Sequence, residues 1–226
     1  DTVTVSSSGV FADKNVGVGK TVTLTNTIGG ADAGNYNITD QTTTTASISA
    51  KALSISGISA ANKTYDGTTS AVVSTAGVVK SGLIAGDTVT VTSSGVFADK
   101  NAGAGKTVNL SNSYGGADLG NYAITDQTTA MANINAKALS IIGSYASGKT
   151  YDGNTNAIIT AGTLSGLVGN ETLTVNGAGS FASKNVGSYN INTSYTLRDA
   201  GIGATAGLAA NYSLTNDILK IGRAHV

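Results

Sequence analysis

Residues 1–54 lie over residues 87–140 without a gap and agree at 41 of 54 positions. A chain that spells one passage twice must fold that passage twice, so the repeat constrains the architecture before any strand is assigned. DTVTV at Asp1 returns at Asp87, SGVFADKN at Ser8 returns at Ser94, and AKALS at Ala50 returns at Ala136. A third, looser copy follows, with ETLTV at Glu171, FASKNVG at Phe181 and ANYSLT at Ala210. The complete unit runs over Lys51–Ala136; residues 1–50 are the C-terminal part of a preceding unit and 137–220 a nearly complete third. An offset of 86 residues, from Asp1 to Asp87, is too long for one solenoid coil of roughly 20–50 residues. It suits a small domain that closes its own core, and the expected picture is beads on a string.

Within a unit the hydrophobic period is two. TVTVTSS (Thr88–Ser94) sets Val89 and Val91 on one face and threonines on the other. KTVNLS (Lys106–Ser111) and ALSIS (Ala52–Ser56) repeat the pattern with Val108 and Leu110, and with Leu53 and Ile55. Such alternation describes an antiparallel sheet with one buried and one wet face. Turn signals separate the runs every 8–12 residues, at Asp66, Ala85, Asp99 and Gly115. The fold class read from this is all-β, as tandem small antiparallel β-sandwich (Ig-like) domains. Composition agrees, because 32 Thr, 30 Gly, 24 Ser and 20 Asn make nearly half of the chain. Thr favours strands, and Gly and Asn favour turns.

Thirteen basic and thirteen acidic side chains cancel, which argues against nucleic acid or an anionic membrane as partner. No apolar run approaches the roughly 18 residues needed to span a bilayer. Without Cys there is no disulfide, thiolate metal site or cysteine nucleophile. The start in mid-motif at Asp1 predicts a piece of a longer protein. IGRAHV (Ile221–Val226) leaves the Ser/Thr/Asn/Gly idiom, holds the single His, and matches the translation of a common sequencing adapter. It is expected to be a non-native tail.

KTYDG occurs at Lys63–Gly67 and again at Lys149–Gly153. Asp-Gly between strand-like runs is a strong hairpin signal, because both residues tolerate positive φ. The motif Tyr65, Asp66, Gly67 and its copy Tyr151, Asp152, Gly153 are therefore read as structural hairpins, not sites. The expected geometry puts the Tyr65 hydroxyl at the surface and turns Lys63 away from Asp66. Nucleophilic catalysis lacks partners, since Glu171 is the only Glu and His occurs only in the suspected tail. No enzyme, catalytic residue or cofactor is expected.

GGADAGN (Gly29–Asn35) and GGADLGN (Gly115–Asn121) faintly resemble calcium loops, but calcium takes about six to eight oxygens and each loop offers one Asp. In the third copy Leu208 stands where Asp32 and Asp118 stand, while Asn211-Tyr212 keep step with Asn35-Tyr36 and Asn121-Tyr122. Turn geometry and a packed Tyr explain that pattern better than a metal. Likewise Asp13 and Asp99 become Ser183 while Phe11, Phe97 and Phe181 persist, which reads as core Phe beside a turn residue. Lys14, Lys100 and Lys184 are expected on solvated loop tips.

KTYDGTT, GVFADKNVGVGKTV, GADAGNY and AKALS, in this order and spacing, resemble the YDG-type repeat of large Gram-negative haemagglutinin-like surface exoproteins. The resemblance covers Asp1–Leu219 and implies extracellular β-domains in tandem, exported by two-partner secretion and held at the bacterial surface as an adhesin stalk. Partners implied are neighbouring repeats of the same chain and host or neighbouring-cell glycans or proteins, with no membrane insertion by this segment. The alternative is a module that binds glycans directly through Tyr114, Tyr145 and Tyr189, although Ile28 replaces Tyr114 in the first copy. The family often carries Pro just before the KAL strand, where this chain has Ala50 and Ala136.

Overall fold

A computed structural model describes residues 1–203, 205–214 and 218–220, and the suspected tail Ile221–Val226 falls outside them. The described residues form an all-β protein of several sheets, with three short 3-10 turns. The first copy supplies β1 (Thr4–Phe11), β2 (Gly17–Gly29) and β3 (Thr43–Ile48). The second supplies β4 (Lys51–Ser56), β5 (Ser59–Ala60), β6 (Lys63–Thr64), β7 (Ser70–Ala71), β8 (Val73–Ser74) and β9 (Val79–Ser81). It continues with β10 (Thr90–Phe97), β11 (Gly103–Gly115), β12 (Tyr122–Thr125) and β13 (Thr129–Asn135). The third supplies β14 (Lys137–Ile142), β15 (Tyr145–Ala146), β16 (Asn156–Ala157), β17 (Ile159–Thr160) and β18 (Thr163–Ser165). Its last strands are β19 (Leu173–Phe181), β20 (Asn190–Asp199), β21 (Tyr212–Leu214) and β22 (Ile218–Lys220).

The contacts gather into two compact units that do not follow the copies. The first unit is Asp1–Ile58, Thr75–Ser93 and Asn112–Thr128. It holds the antiparallel sheet β1-β2-β3, with Thr4 opposite Gly29 and Phe11 opposite Val22. It also holds the sheet β12-β4-β9, in which β4 of the KALS motif runs parallel to β12 and pairs Leu53 with Ile124. Leu53 and Ile55 are buried, as their alternation predicts.

The second unit is Ser59–Ser74, Ser94–Ser111 and Thr129–Val226. Its five-stranded sheet has the order β6-β13-β11-β10-β7, and third-copy strands form the sheets β16-β19-β20-β22 and β18-β14-β21. Tyr65, Phe97, Val108, Ala132 and Ile134 of the second copy share one core with Leu139 and Tyr212 of the third. The expectation that each bead closes its own core is not what this unit shows. Only Ala136 separates β13 from β14, so Leu139 is delivered directly onto the preceding copy's core.

The YDG turn also differs from a two-residue hairpin. The chain does reverse there, with Gly67 at φ +78° and Gly153 at φ +79°, but β6 and β7 do not pair with each other. They sit on opposite edges of the five-stranded sheet. The strands that do pair lie further out, Ser59 opposite Ser74 and Ala60 opposite Val73. Only Tyr65–Thr69 link the two edges, a path of about 20 Å at full extension. A link that short draws the edges of a twisted sheet toward each other, and one sheet is nearly closed and barrel-like. Asp-Gly was the right signal for reversal, but the pairing partners of Lys63–Thr64 lie 71 residues on, at Ile134–Asn135.

Candidate functional site

Lys63 stands inside that gap. Its Nζ donates to Asp66 Oδ1 at 2.7 Å, to the Thr68 carbonyl at 2.8 Å and to the Ser70 carbonyl at 3.1 Å. It also lies 5.6 Å from the centroid of the Phe97 ring, a cation–π distance. The ladder ends at Thr64, so the chain is free to curl and Lys63 meets Asp66 instead of pointing away from it. Asp66 closes an Asx turn by accepting from the Thr68 amide at 2.9 Å. The Lys63 ammonium holds the Asp66 carboxyl down at about 2. The third copy rebuilds the plug, with Lys149 Nζ 2.7 Å from Asp152 Oδ1 and 5.9 Å from the Phe181 ring. The lysine of KTYDG therefore ties the turn to the core Phe.

The second constellation joins successive copies. In the first unit the FADKN loop of copy one meets the GADLGNY loop of copy two. Lys14 Nζ donates to Asp87 Oδ1 at 2.8 Å and to Asp118 Oδ1 at 3.1 Å. The Val16 amide donates to Asn121 Oδ1 at 2.9 Å, and Asn121 Nδ2 donates back to Asn15 Oδ1 at 3.2 Å. Tyr122 completes the cluster, its hydroxyl donating to Asp87 Oδ2 at 2.7 Å while accepting from the Ile84 amide at 3.0 Å. Hydrogen bonds from Lys14 and then Tyr122 lower the Asp87 carboxyl, and Asp87 in turn raises Lys14. These are surface ion pairs worth little singly, and their content is geometric.

In the second unit the same loops of copies two and three meet in the same way. Lys100 Nζ reaches Glu171 Oε1 at 3.3 Å. The Ala102 amide donates to Asn211 Oδ1 at 2.8 Å, and Asn211 Nδ2 donates to Asn101 Oδ1 at 3.1 Å. Tyr212 donates to Glu171 Oε2 at 2.7 Å and accepts from the Val168 amide at 3.0 Å. Glu replaces the Asp of the other copies, and its longer stem lets it take a second phenol, Tyr65, at 2.6 Å. The Tyr65 and Tyr212 rings meet edge to face, 5.4 Å apart at 79°. Contrary to expectation, Tyr65 is only 2% exposed, whereas its third-copy counterpart Tyr151 is 54% exposed. Burial, then the bond to Glu171, pushes both Tyr65 and Tyr212 up to about 12. Burial raises the Glu171 carboxyl, but bonds from Tyr65, Tyr212 and Lys100 outweigh it and leave it lowered.

Lys14 and Lys100 are thus exposed but partnered loop tips, each reaching the next copy's carboxylate. The Asp-to-Leu exchange is accounted for too. Asp32 and Asp118 accept the amides of Thr2 and Thr88, at 2.6 and 2.8 Å, whereas the equivalent Thr172 amide finds the Thr205 carbonyl at 2.8 Å. Backbone has taken over the acceptor, so Leu208 is tolerated. Among the described residues no group of three or more His, Asp or Glu could hold a metal ion.

The three candidate sugar-contacting tyrosines are not equivalent. Tyr114 is half-buried and bonded to Asp126, and burial, then that bond, pushes it up to about 12. Tyr189 packs against the small core of Ala146, Phe181 and Ile191. Tyr145 is 57% exposed.

The joint was missed as a site because its halves lie 71 to 110 residues apart. The signals were present, in the Lys-Asn pair that persists after Phe and in the Asn-Tyr pair that persists past Leu208. No curated protein and no solved structure matches this chain. The family model for the YDG domain matches it three times, over residues 1–45, 49–130 and 135–218. Nearly all of the chain falls within those matches, and it belongs to the YDG domain family.

Proposed function

We propose that this chain is a non-enzymatic stalk segment of a secreted bacterial surface adhesin, a tandem array of sandwich-like β-domains that holds an adhesive part away from the cell. The observation that carries this reading is the joint built twice from the same side chains: Lys to carboxylate, Tyr to carboxylate, and Asn to Asn. A stalk needs successive domains to meet in one register, and paired amides with charge-assisted bonds supply direction where a purely apolar contact would slide. Export past the outer membrane by two-partner secretion belongs to the same proposal and is supported only by the family resemblance. The test is pulling single molecules tethered at residues 1 and 220. A stalk gives unfolding forces that fall when Asn121 or Asn211 is changed to Ala, and unchanged forces would sink the reading.

The exposed ring of Tyr145 favours a second reading, direct glycan binding. Binding on a broad glycan array that disappears in Tyr145→Ala would support it. Silence of the intact chain on that array favours the stalk.

A further inference from the structure

Early and late strands of the second copy run side by side in the same direction. In the first unit β4 lies parallel to β12, with Lys51 opposite Tyr122 and Ser54 opposite Thr125. In the second unit β6 lies parallel to β13, with Lys63 opposite Ile134 and Thr64 opposite Asn135. Both ladders keep an offset of 71 residues, and further bonds extend each of them. Gln127 grips the Ile58 backbone, its Oε1 accepting from the amide at 2.9 Å and its Nε2 donating to the carbonyl at 2.8 Å. Asn62 Oδ1 accepts from the Asn133 amide at 2.7 Å, and the Tyr65 amide donates to the Asn135 carbonyl at 2.9 Å. The third copy repeats the arrangement in β14 and β21, with Lys137 opposite Tyr212 and Leu139 opposite Leu214.

This pairing decides how a copy meets tension. A pull along the chain reaches copy two at the N-terminal end of β4 and leaves it past the C-terminal end of β13. In each parallel pair the early strand is drawn from its N-terminal end and the late strand from its C-terminal end. Those two points lie at opposite ends of the ladder, so the strands must slide along each other and every bond is strained at once. An antiparallel hairpin pulled at its two open ends would instead unzip, one bond after another. The strands β9, β10 and β11 fall between the parallel partners in the chain, and the load does not reach them until the ladders part. Parallel pairing is slightly weaker per residue at equilibrium, so the resistance comes from the direction of loading.

We propose that the parallel ladders, β4 with β12 and β6 with β13, are the force-bearing clamp of the copy, and that β14 with β21 serves the third copy in the same way. This is a load-bearing function beyond the register that the joint supplies. When the clamp yields, the segment between the partner strands is released as reserve length. The purpose of the clamp rests on the stalk reading, whereas its response to direction is a property of the fold.

The test pulls one ladder in two directions. The chain has no Cys, so introduced thiols give unique handles, and Ser49, Ser56 and Thr125 are exposed positions at the ends of the first ladder. The full chain carrying Ser49→Cys and Thr125→Cys, held by its two thiols in optical tweezers, loads β4 from its N-terminal end and β12 from its C-terminal end. The chain carrying Ser56→Cys and Thr125→Cys peels the same four pairs apart from their shared C-terminal side. The first attachment should rupture at about two- to fourfold higher force, because up to four pairs then share a load that peeling puts on one. It should rupture in a single step of about 250 Å, the extended length of the chain between its handles. Forced rupture reads the unfolding rate, so the variants are compared at equal urea midpoints; if Ser56→Cys lowers its midpoint, Ser54→Cys gives the same attachment. Equal forces, a higher force on peeling, or a series of short steps under the first attachment would each overturn the clamp. End-to-end forces indifferent to Asn121→Ala and Asn211→Ala would sink the stalk and leave this directional contrast standing.

Discussion

Asn35, Asn121 and Asn211 occupy one position in three copies, and they make an internal dose series for the joint. Each closes the same 3-10 turn, with backbone bonds of 3.0 Å to Asp32, Asp118 and Leu208 respectively. Their surroundings differ. Asn35 is exposed, Asn121 is half-buried, and Asn211 is 1% exposed. Asn211→Ala removes two hydrogen bonds and leaves the Ala102 amide without its side-chain acceptor. A lost bond costs about 0.5–1.5 kcal/mol net and an orphaned buried donor about 1–3, so the total is about 2–4 kcal/mol. Asn121→Ala makes the same deletion at a wetter site, where water replaces part of what is lost, and should cost about 1–2 kcal/mol. Asn35→Ala should stay within about 0.5 kcal/mol, as surface substitutions do. Urea midpoints of the three variants at constant slope read the series, and amide exchange at Ala102 localises its largest member. If Asn35→Ala proves as costly as Asn211→Ala, the residue is there for its turn and the joint reading fails.

Lys63→Ala opens the seam between the two sheet edges and should destabilise by about 2–3 kcal/mol. The Phe97 amide, which donates to the Thr69 carbonyl at 2.7 Å, should then exchange faster. Alkaline stability follows in part from the two raised phenols that share Glu171. A group whose folded pKa lies above its unfolded value stabilises fully below the unfolded pKa. The Tyr65 and Tyr212 contribution is therefore intact to about pH 10 and lost between about 10 and 12. Phenolate absorbance should show them ionising late, in the same range as Tyr114, and Glu171→Gln should lower both while leaving the larger share that burial supplies. At the acid end the sign reverses. The lowered Asp66 stabilises above about pH 4, and that contribution disappears as the pH falls toward about 2. Asp66→Asn should flatten that part of the stability curve.

The sequence made the strands legible because their signal is local. The alternation that placed Val89, Leu53, Ile55 and Val108 inside needs only neighbouring residues, and all four are buried. Asp66-Gly67 likewise announced a reversal. What it could not announce was that Lys63 would pair in parallel with Ile134, since that register depends on a strand 71 residues away. The joint was hidden for the same reason. Asn121 reads as a turn residue from its own surroundings, and only its 2.9 Å bond from Val16 reveals the other task. Glu171 was the one conspicuous clue. A lone Glu at a position otherwise held by Asp marks where a carboxylate had to reach further, to a second tyrosine.

Because each joint is made by one loop of a copy and another loop of the next, every copy carries both halves of the contact. Recombination between Asp1–Ser54 and Asp87–Ser140, which match so closely, would add or remove 86 residues and still bring a Lys-Asn loop to a carboxylate-Asn-Tyr loop. The gene can lengthen or shorten the array in whole copies, and each new boundary arrives already fitted. An exchange out of phase would strand Lys14 without Asp87. Copy number can then change in whole units, while phase within the repeat stays fixed.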